Sequence, residues 1–216
     1  MTSDAFTFSI ALSAGGQSTR MGRDKGLLPF MGIPMYQYIV NQVLPLSEDV
    51  FIITNNVADY SSYDGRVLPD KIPGIGALGG LHAALTYAKH DLCLVLACDM
   101  PFINTTLIDC LLGVSDGADV VIPELGPELL EPFRAVYRKS CLAAVERAIQ
   151  AGERRATGFL PMVKVNKLTR QTLEGINPSL DSFLNINSPK DLAFVEGYAK
   201  QNEQRWKATQ VKRKRL

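Results

Sequence analysis

The chain has 216 residues, 46% of them hydrophobic, and a formal net charge of +1. That is enough apolar material for the full core of one α/β domain, and no segment has the composition of a linker. No apolar run approaches the roughly 18 residues of a membrane-spanning helix, and Asp4 with no basic residue ahead of the first apolar stretch argues against a secretory signal, so a soluble cytoplasmic protein is expected.

In chain order, residues 6–12 are aromatic and β-branched enough to form a first, buried strand. Ser13-Ala14-Gly15-Gly16-Gln17-Ser18-Thr19-Arg20-Met21-Gly22-Arg23-Asp24-Lys25 follows directly, where open α/β sheets collect ligands at the carboxyl ends of their strands. Gly15 and Gly16 have no Cβ, so their N–H groups can approach phosphate oxygens, while Arg20 and Lys25 supply charge-assisted donors. The segment reads as a triphosphate cradle. No Gly-Lys-Ser/Thr ends it, which disfavours a Walker A loop and its ATPase chemistry.

The helical rhythm of Met35, Tyr38, Ile39, Gln42 and Val43 predicts a helix over 35–44, stopped by Pro45, and then a strand over 50–53. Thr54-Asn55-Asn56 after it could read a base edge. A short strand over 66–68 precedes Pro69-Asp70, a Gly-rich turn and a helix over 78–88. The apolar run 92–97 suits a central parallel strand covered on both faces and ends at Cys98-Asp99-Met100-Pro101. A helix over 105–112 with Asn104 as N-cap and a strand over 119–123 come next. Further on we expect a strand over 133–137, a helix over 140–151, strands over 162–165 and 183–187, and a terminal helix from Pro189 capped by Ser188. The alternation predicts an α/β fold: a single-domain, doubly wound, mostly parallel, Rossmann-like sheet with helices on both faces.

Asp99 closes the most buried strand just before a proline, so its carboxylate should emerge at the ligand edge. One well-placed carboxylate suffices for Mg²⁺ when a nucleotide supplies the remaining oxygens. Asp70 has the same placement after a shorter strand and reads equally well as a turn residue. Gly74-Ile75-Gly76-Ala77-Leu78-Gly79-Gly80 contains a literal G-x-G-x-x-G. A dinucleotide fingerprint belongs on the first strand-to-helix turn, which is already occupied, so Gly76 and Gly80 instead suit close approach to a base or pterin.

Gly152-Glu153-Arg154-Arg155 places two guanidinium groups together, suited to a further phosphate or to a solvated helix end. Asn185 and Asn187, two apart on an expected strand, share a face, and such poor strand formers favour a ligand role. His82 and His90 have no metal-ligand spacing. Cys93, Cys98, Cys110 and Cys141 show no paired spacing and read as buried thiols rather than zinc ligands or disulfides. Arg205, Lys207, Lys212, Arg213, Lys214 and Arg215 crowd the end of the chain without an acid. That end reads as a solvated basic tail.

The first loop resembles the nucleotidyltransferase signature of a hydrophobic residue, Ala-Gly-Gly, four variable residues with an Arg, Met-Gly-x-Asp-Lys, with Ser13 in place of the usual Leu. Together with Leu68-Pro69-Asp70, Cys98-Asp99-Met100-Pro101, Ala151-Gly152-Glu153-Arg154-Arg155 and Asn185-Ile186-Asn187-Ser188-Pro189, the chain resembles the molybdenum cofactor guanylyltransferases over nearly its whole length. The resemblance implies a nucleotidyltransferase domain over residues 1–204 with a basic tail over 205–216. It implies transfer of GMP from Mg·GTP to molybdenum-loaded molybdopterin. Arg20, Lys25 and Asp99 would be catalytic, with Asp99 the magnesium ligand. Ser13, Ala14, Gly15, Gly16, Lys25, Thr54, Asn55, Asp70 and Asp99 would bind nucleotide. Gly76, Gly80, Arg154, Arg155, Asn185 and Asn187 would bind the pterin. The family commonly has Asn where this chain has Thr54. A monomer is expected, with cofactor-delivery or acceptor proteins as partners and neither nucleic acid nor membrane. The alternatives are a cytidylyltransferase on the same cofactor, a sugar-phosphate nucleotidyltransferase, or a non-catalytic nucleotide-binding adaptor.

Overall fold

One eight-stranded sheet organises the computed structural model, which describes residues 6–14 and 24–202. The elements run β1 (Phe8–Ser13), the two-residue strands β2 (Pro29–Phe30) and β3 (Ile33–Pro34), α1 (Met35–Val43), β4 (Asp49–Ile53), β5 (Arg66–Leu68) and α2 (Ala77–Tyr87). They continue with β6 (Leu92–Ala97), α3 (Thr105–Gly113), β7 (Val120–Gly126), β8 (Leu129–Leu130), β9 (Arg134–Arg138), α4 (Leu142–Gln150), β10 (Val165–Thr169), α5 (Arg170–Ile176) and α6 (Pro189–Gln201).

The strand order is β10-β7-β9-β6-β1-β4-β5, with β8 attached to β7. The pairs β6-β1, β1-β4, β4-β5 and β7-β10 are parallel, whereas β9 runs antiparallel to both β6 and β7, and β8 antiparallel to β7. The mostly parallel, doubly wound sheet expected from the sequence is thus present, as a mixed sheet.

Side chains alternate between the two faces of each strand, and the core divides accordingly. Phe8, Ile10 and Leu12 of β1, with Leu92, Leu94 and Leu96 of β6, meet α1, α3, α5 and α6 on one face. Ala11, Phe51, Cys93 and Val95 meet α2 and α4 on the other. Each fully buried Leu or Ile in these layers stabilises the fold by about 1.5–3 kcal/mol. Local signals set the helix ends. Asn104 Oδ1 accepts the Leu107 N–H at 3.0 Å to cap α3, and Ser188 Oγ accepts the Asp191 N–H at 3.2 Å to cap α6, with Pro189 in its first turn.

Three features depart from expectation. Residues 162–164 are not strand: a 3-10 turn at Leu160–Met162, with Pro161 in it, delays the strand expected from residue 162 until β10 begins at Val165. Helix α5 has a single buried residue, Leu173, and so no apolar rhythm to announce it. The segment 183–187 is a 3-10 turn at Asp181–Phe183 followed by non-ladder backbone. It crosses the end of β6, which β1 and β9 already flank, so no edge remains for another strand to join. Its one backbone bond to that region runs from the Ile186 N–H to the Asp99 carbonyl at 2.9 Å. Among the described residues no helix is long and apolar enough to cross a membrane.

Candidate active site

Ser13, Ile53 and Ala97 lie in register at the carboxyl ends of β1, β4 and β6. The ladder extends one residue beyond them. Ala14 N–H donates to Ile53 at 2.8 Å, Cys98 N–H to Ser13 at 3.0 Å and Thr54 N–H to Leu68 at 3.0 Å. Three sequence-distant segments, those at Ala14, Thr54 and Asp99, are therefore fixed side by side by backbone hydrogen bonds, at the edge where a parallel sheet presents ligand sites.

At this edge Lys25 Nζ donates to Asp99 Oδ2 at 2.8 Å and to Asn187 Oδ1 at 2.5 Å. The Lys25 and Asp99 side chains are 17% and 18% exposed, sheltered enough to interact strongly yet open to a ligand. The fold thus brings together one residue from each of three motifs singled out in the sequence. Asn185 and Asn187 are exposed on either side of buried Ile186, so they share an outward side although they do not lie on a strand. Gly15, Gly16 and Arg20 lie outside the described residues, as does the 205–216 tail.

Lys25 is the first residue of a 3-10 turn, Lys25–Leu27, capped by Asp24. Asp24 Oδ1 accepts both the Gly26 N–H and the Tyr60 hydroxyl at 2.9 Å. Burial, followed by the neighbouring Cys98 and Asp24, holds the Tyr60 phenol well above its ordinary pKa, so it remains a donor at neutral pH. Nothing in the sequence pointed to Tyr60. It lies 36 positions from Asp24 in a segment without periodicity.

Thr54 turns inward at 1% exposure, and its Oγ1 accepts the Asn56 N–H at 3.1 Å. Of the Thr54-Asn55-Asn56 segment expected to read a base edge, it is the amides of Asn55 and Asn56 that are exposed. Asn55 and Asp70 clasp each other. Asn55 Nδ2 donates to the Asp70 carboxylate and Asp70 N–H to Asn55 Oδ1, both at 3.0 Å.

Gly76 takes φ 74° as the N-cap of α2, a left-handed value that disfavours any side chain. A Cβ on buried Gly80 would lie 3.5 Å from Ser13 Oγ, so the small residue lets α2 pack closely against β1. The Gly152 to Arg155 turn sits over the start of α2: Leu78 N–H donates to the Arg154 carbonyl at 3.1 Å, and Arg154 Nη1 to the Gly74 carbonyl at 2.6 Å. Glu153 makes its contacts within its own turn, accepting from the Arg154 and Arg155 N–H groups and from the Arg155 guanidinium. Those bonds, led by the Arg155 side chain, bring the Glu153 carboxyl down to about 2. Arg155 is thereby neutralised by its neighbour, whereas Arg154 has no carboxylate partner among the described residues.

One further charge lies behind the edge. Arg134, opening β9, is 1% exposed, and its Nη2 donates to the Met100 carbonyl at 2.8 Å, while Nε and Nη1 have no partner. Burial lowers its pKa to about 10, which leaves it charged at neutral pH. Its only sequence signal is a charge inside the apolar alternation of β9. Cys93, Cys98 and Cys141 are buried free thiols and Cys110 is partly exposed. His82 lies 3.5 Å from Glu146 and His90 3.5 Å from Glu48, away from this edge.

Comparison with known proteins gives concordant results. Residues 10–165 match the model of the MobA-like NTP transferase domain. A probable molybdenum cofactor guanylyltransferase of Pelotomaculum thermopropionicum is 38% identical over 180 residues, spanning 83% of this chain and 87% of that protein. Among solved structures, molybdopterin-guanine dinucleotide biosynthesis protein A from Archaeoglobus fulgidus superposes with a TM-score of 0.78 at 28% identity, covering 89% of this chain and 99% of the other. The 2-C-methyl-D-erythritol 4-phosphate cytidylyltransferase of Thermus thermophilus shares the fold, with a TM-score of 0.67 at 18% identity over 90% of this chain and all of that one.

Proposed function

The chain belongs to the MobA-like NTP transferase family and, within it, to the molybdenum cofactor guanylyltransferases, and from that premise we propose that it transfers GMP from GTP to molybdenum-loaded molybdopterin. The terminal phosphate oxygen of the pterin attacks the α-phosphorus of GTP. The bond from that phosphorus to the bridging oxygen breaks, and pyrophosphate leaves with the electron pair. The product is the guanine dinucleotide form of the cofactor. The observation that carries this reading is the Lys25–Asp99 pair, 2.8 Å apart at the carboxyl edge of β1 and β6.

The attacking phosphate is largely ionised near neutral pH, since its second pKa is about 6, so no general base is required. Catalysis then rests on alignment and on neutralising the charge that grows on the leaving pyrophosphate. Lys25, with Arg20 and the N–H groups of Ala14, Gly15 and Gly16, would receive the β- and γ-phosphates beside Ser13. To do so, the Lys25 ammonium moves from Asp99 and Asn187 to the phosphates, which frees the Asp99 carboxylate.

That carboxylate suits Mg²⁺ carried in by the nucleotide. Among the described residues no three His, Cys, Asp or Glu side chains cluster as a metal cage, and magnesium characteristically uses one or two carboxylates plus phosphate oxygens. When bound, the metal would supply charge neutralisation between the α-phosphate and the attacking phosphate. Asn55, over Asp70, would face the guanine. Arg154, Arg155, Asn185 and Asn187, with close backbone approach at Gly76 and Gly80, would hold the pterin. This reading makes the protein a cytoplasmic monomer acting on two small substrates, with cofactor-delivery or acceptor proteins as its partners.

The test is pyrophosphate release from GTP, CTP, ATP and UTP with Mg²⁺ and molybdenum-loaded molybdopterin, with the pterin product weighed by mass spectrometry. A GMP adduct from GTP alone is expected. A CMP adduct would reassign the nucleotide, and no adduct from any of the four would overturn the reaction.

A further inference from the structure

Lys25, the lysine that the described residues place at the edge, is positioned there by more than its own bonds to Asp99 and Asn187. Within its turn, Lys25–Leu27, the backbone-to-backbone bonds run from the Leu27 N–H to the Asp24 carbonyl at 3.1 Å and from the Leu28 N–H to the Lys25 carbonyl at 3.2 Å. Beyond the Lys25 ammonium's own bonds to Asp99 and Asn187 and the packing of Leu27 and Leu28 on the core, the turn is tied to the rest of the fold through the Asp24 carboxylate, gripped through one oxygen by Gly26 N–H and the Tyr60 hydroxyl. Tyr60 is fully buried and is braced from behind: its ring packs on Tyr36 at 4.8 Å between centroids, and the Tyr36 hydroxyl bonds Ser62 Oγ at 2.6 Å.

The neighbouring glycine fits this arrangement closely. A Cβ on Gly26 would fall 2.3 Å from the Tyr60 hydroxyl oxygen, far inside van der Waals contact, so the phenol occupies the space a side chain would need. Tyr60 also closes the 3-10 turn Val57–Tyr60, which begins directly after Asn55 and Asn56. The same short turn therefore joins the segment beyond β4 to the turn that carries Lys25.

We propose that Tyr60 is a positioning residue for nucleotidyl transfer: its hydroxyl, through Asp24, fixes the turn from which Lys25 reaches the β- and γ-phosphates. The inference rests on the guanylyltransferase reading for the identity of those phosphates. Tyr60 touches no reacting atom. Its effect passes through Lys25, and so it should appear in steps that use the lysine and vanish when the lysine is gone.

The test compares wild type with Tyr60→Phe, which keeps the ring and loses only the donor. GTP and GMP affinities are measured by calorimetry with Mg²⁺ and without pterin, and turnover is measured separately. Tyr60→Phe is expected to weaken GTP about tenfold with GMP unchanged, to lower kcat by a similar factor, and to lower the melting temperature by only a few degrees, as for loss of one charge-assisted bond. Gly26→Ala, which displaces the phenol, should reproduce the loss. Asp24→Asn, which keeps an acceptor, should retain more activity than Asp24→Ala. In a Lys25→Ala background Tyr60→Phe should have no further effect.

Wild-type GTP-to-GMP discrimination and turnover in Tyr60→Phe would overturn the proposal, as would an equal loss in the Lys25→Ala background or a wild type that does not prefer GTP to GMP. A wild type that binds GTP through Lys25 and Tyr60 yet makes no pterin adduct would leave the positioning role standing and remove the guanylyltransferase reading.

Discussion

The parallel strands β1, β4, β5 and β6 have a charged cluster at each end, and the two clusters differ in how completely their charges are satisfied. At the amino end, Asp49 is 1% exposed and accepts from Ser9 Oγ at 2.6 Å, Lys89 N–H at 2.9 Å and the Arg66 guanidinium at 2.5 Å. Ser9 Oγ in turn accepts the His90 N–H at 3.0 Å. At the carboxyl end Asp99 and Lys25 are part-exposed, and among the described residues the Asp99 carboxylate is bonded by Lys25 alone. A saturated carboxylate with no route to solvent locks strands together. A carboxylate with one exchangeable partner at the surface can trade that partner for a ligand. Charge alone did not separate the two ends, since each carries an Asp beside basic residues. Saturation and access did.

The comparison breaks most visibly on stability. Asp49→Ala should destabilise the fold by about 3–5 kcal/mol, the cost of leaving buried partners unpaired, in urea unfolding. Turnover per folded molecule should not change. Burial pushes the Asp49 carboxyl up, but the bonds from Ser9 and the Lys89 N–H and the charge of Arg66 outweigh it and hold it below the ordinary 3.8. The ionised form is thus the stabilising one. Its contribution is complete above pH 3.8 and is lost as pH falls through the lower folded value, so Asp49→Asn should flatten the acid limb of a stability profile.

The opposite end should respond in reverse. Lys25→Ala and Asp99→Ala are expected to lower kcat by about two to three decades, as for loss of a group that meets developing charge, with little change in unfolding. Either variant turning over normally would remove that residue from the proposed chemistry. Asn187→Ala should cost about tenfold in kcat/KM, one hydrogen bond's worth, because it removes a ligand-free partner of Lys25 as well as a proposed pterin contact. The smallest effect separates two adjacent guanidinium groups. Arg154→Ala should raise KM for the pterin about tenfold, as for one charged hydrogen bond, and Arg155→Ala by a smaller factor, because Glu153 already neutralises Arg155. Equal effects from the two would contradict that distinction.

Much of the framework was legible from the residues because it depends on local rules. The apolar runs of β1, β4 and β6, the Asn104 cap and the Ser188-Pro189 start of α6 all appear where their chemistry demands. The antiparallel placement of β9 was not legible, since strand order follows from how helices cover the faces and not from any strand's own pattern. Nor was the loss of the 183–187 strand, which depends on β6 having no free edge.

Within the candidate site, Lys25, Asp99 and Asn187 each stood in a recognisable segment, yet the meeting of Lys25 with Asn187 across 162 positions is a property of the fold. Tyr60 and Arg134 were invisible for a different reason. Each is a single residue whose partner is set by tertiary packing, a hydroxyl under Asp24 in one case and a guanidinium under the Met100 carbonyl in the other.

The antiparallel strand β9 also sets the sequence of assembly. Strands β1, β4, β5 and β6 are all complete by Ala97, and they can form a parallel block as that part of the chain leaves the ribosome. The flank of β6 stays unpaired until Arg134–Arg138 is made, because the intervening β7 bonds to β9 and not to β6. An open, apolar flank on a half-built sheet invites pairing with other chains. The interval between synthesis of β6 and arrival of β9 is therefore when this open flank is expected to leave the growing chain most exposed to pairing with other chains.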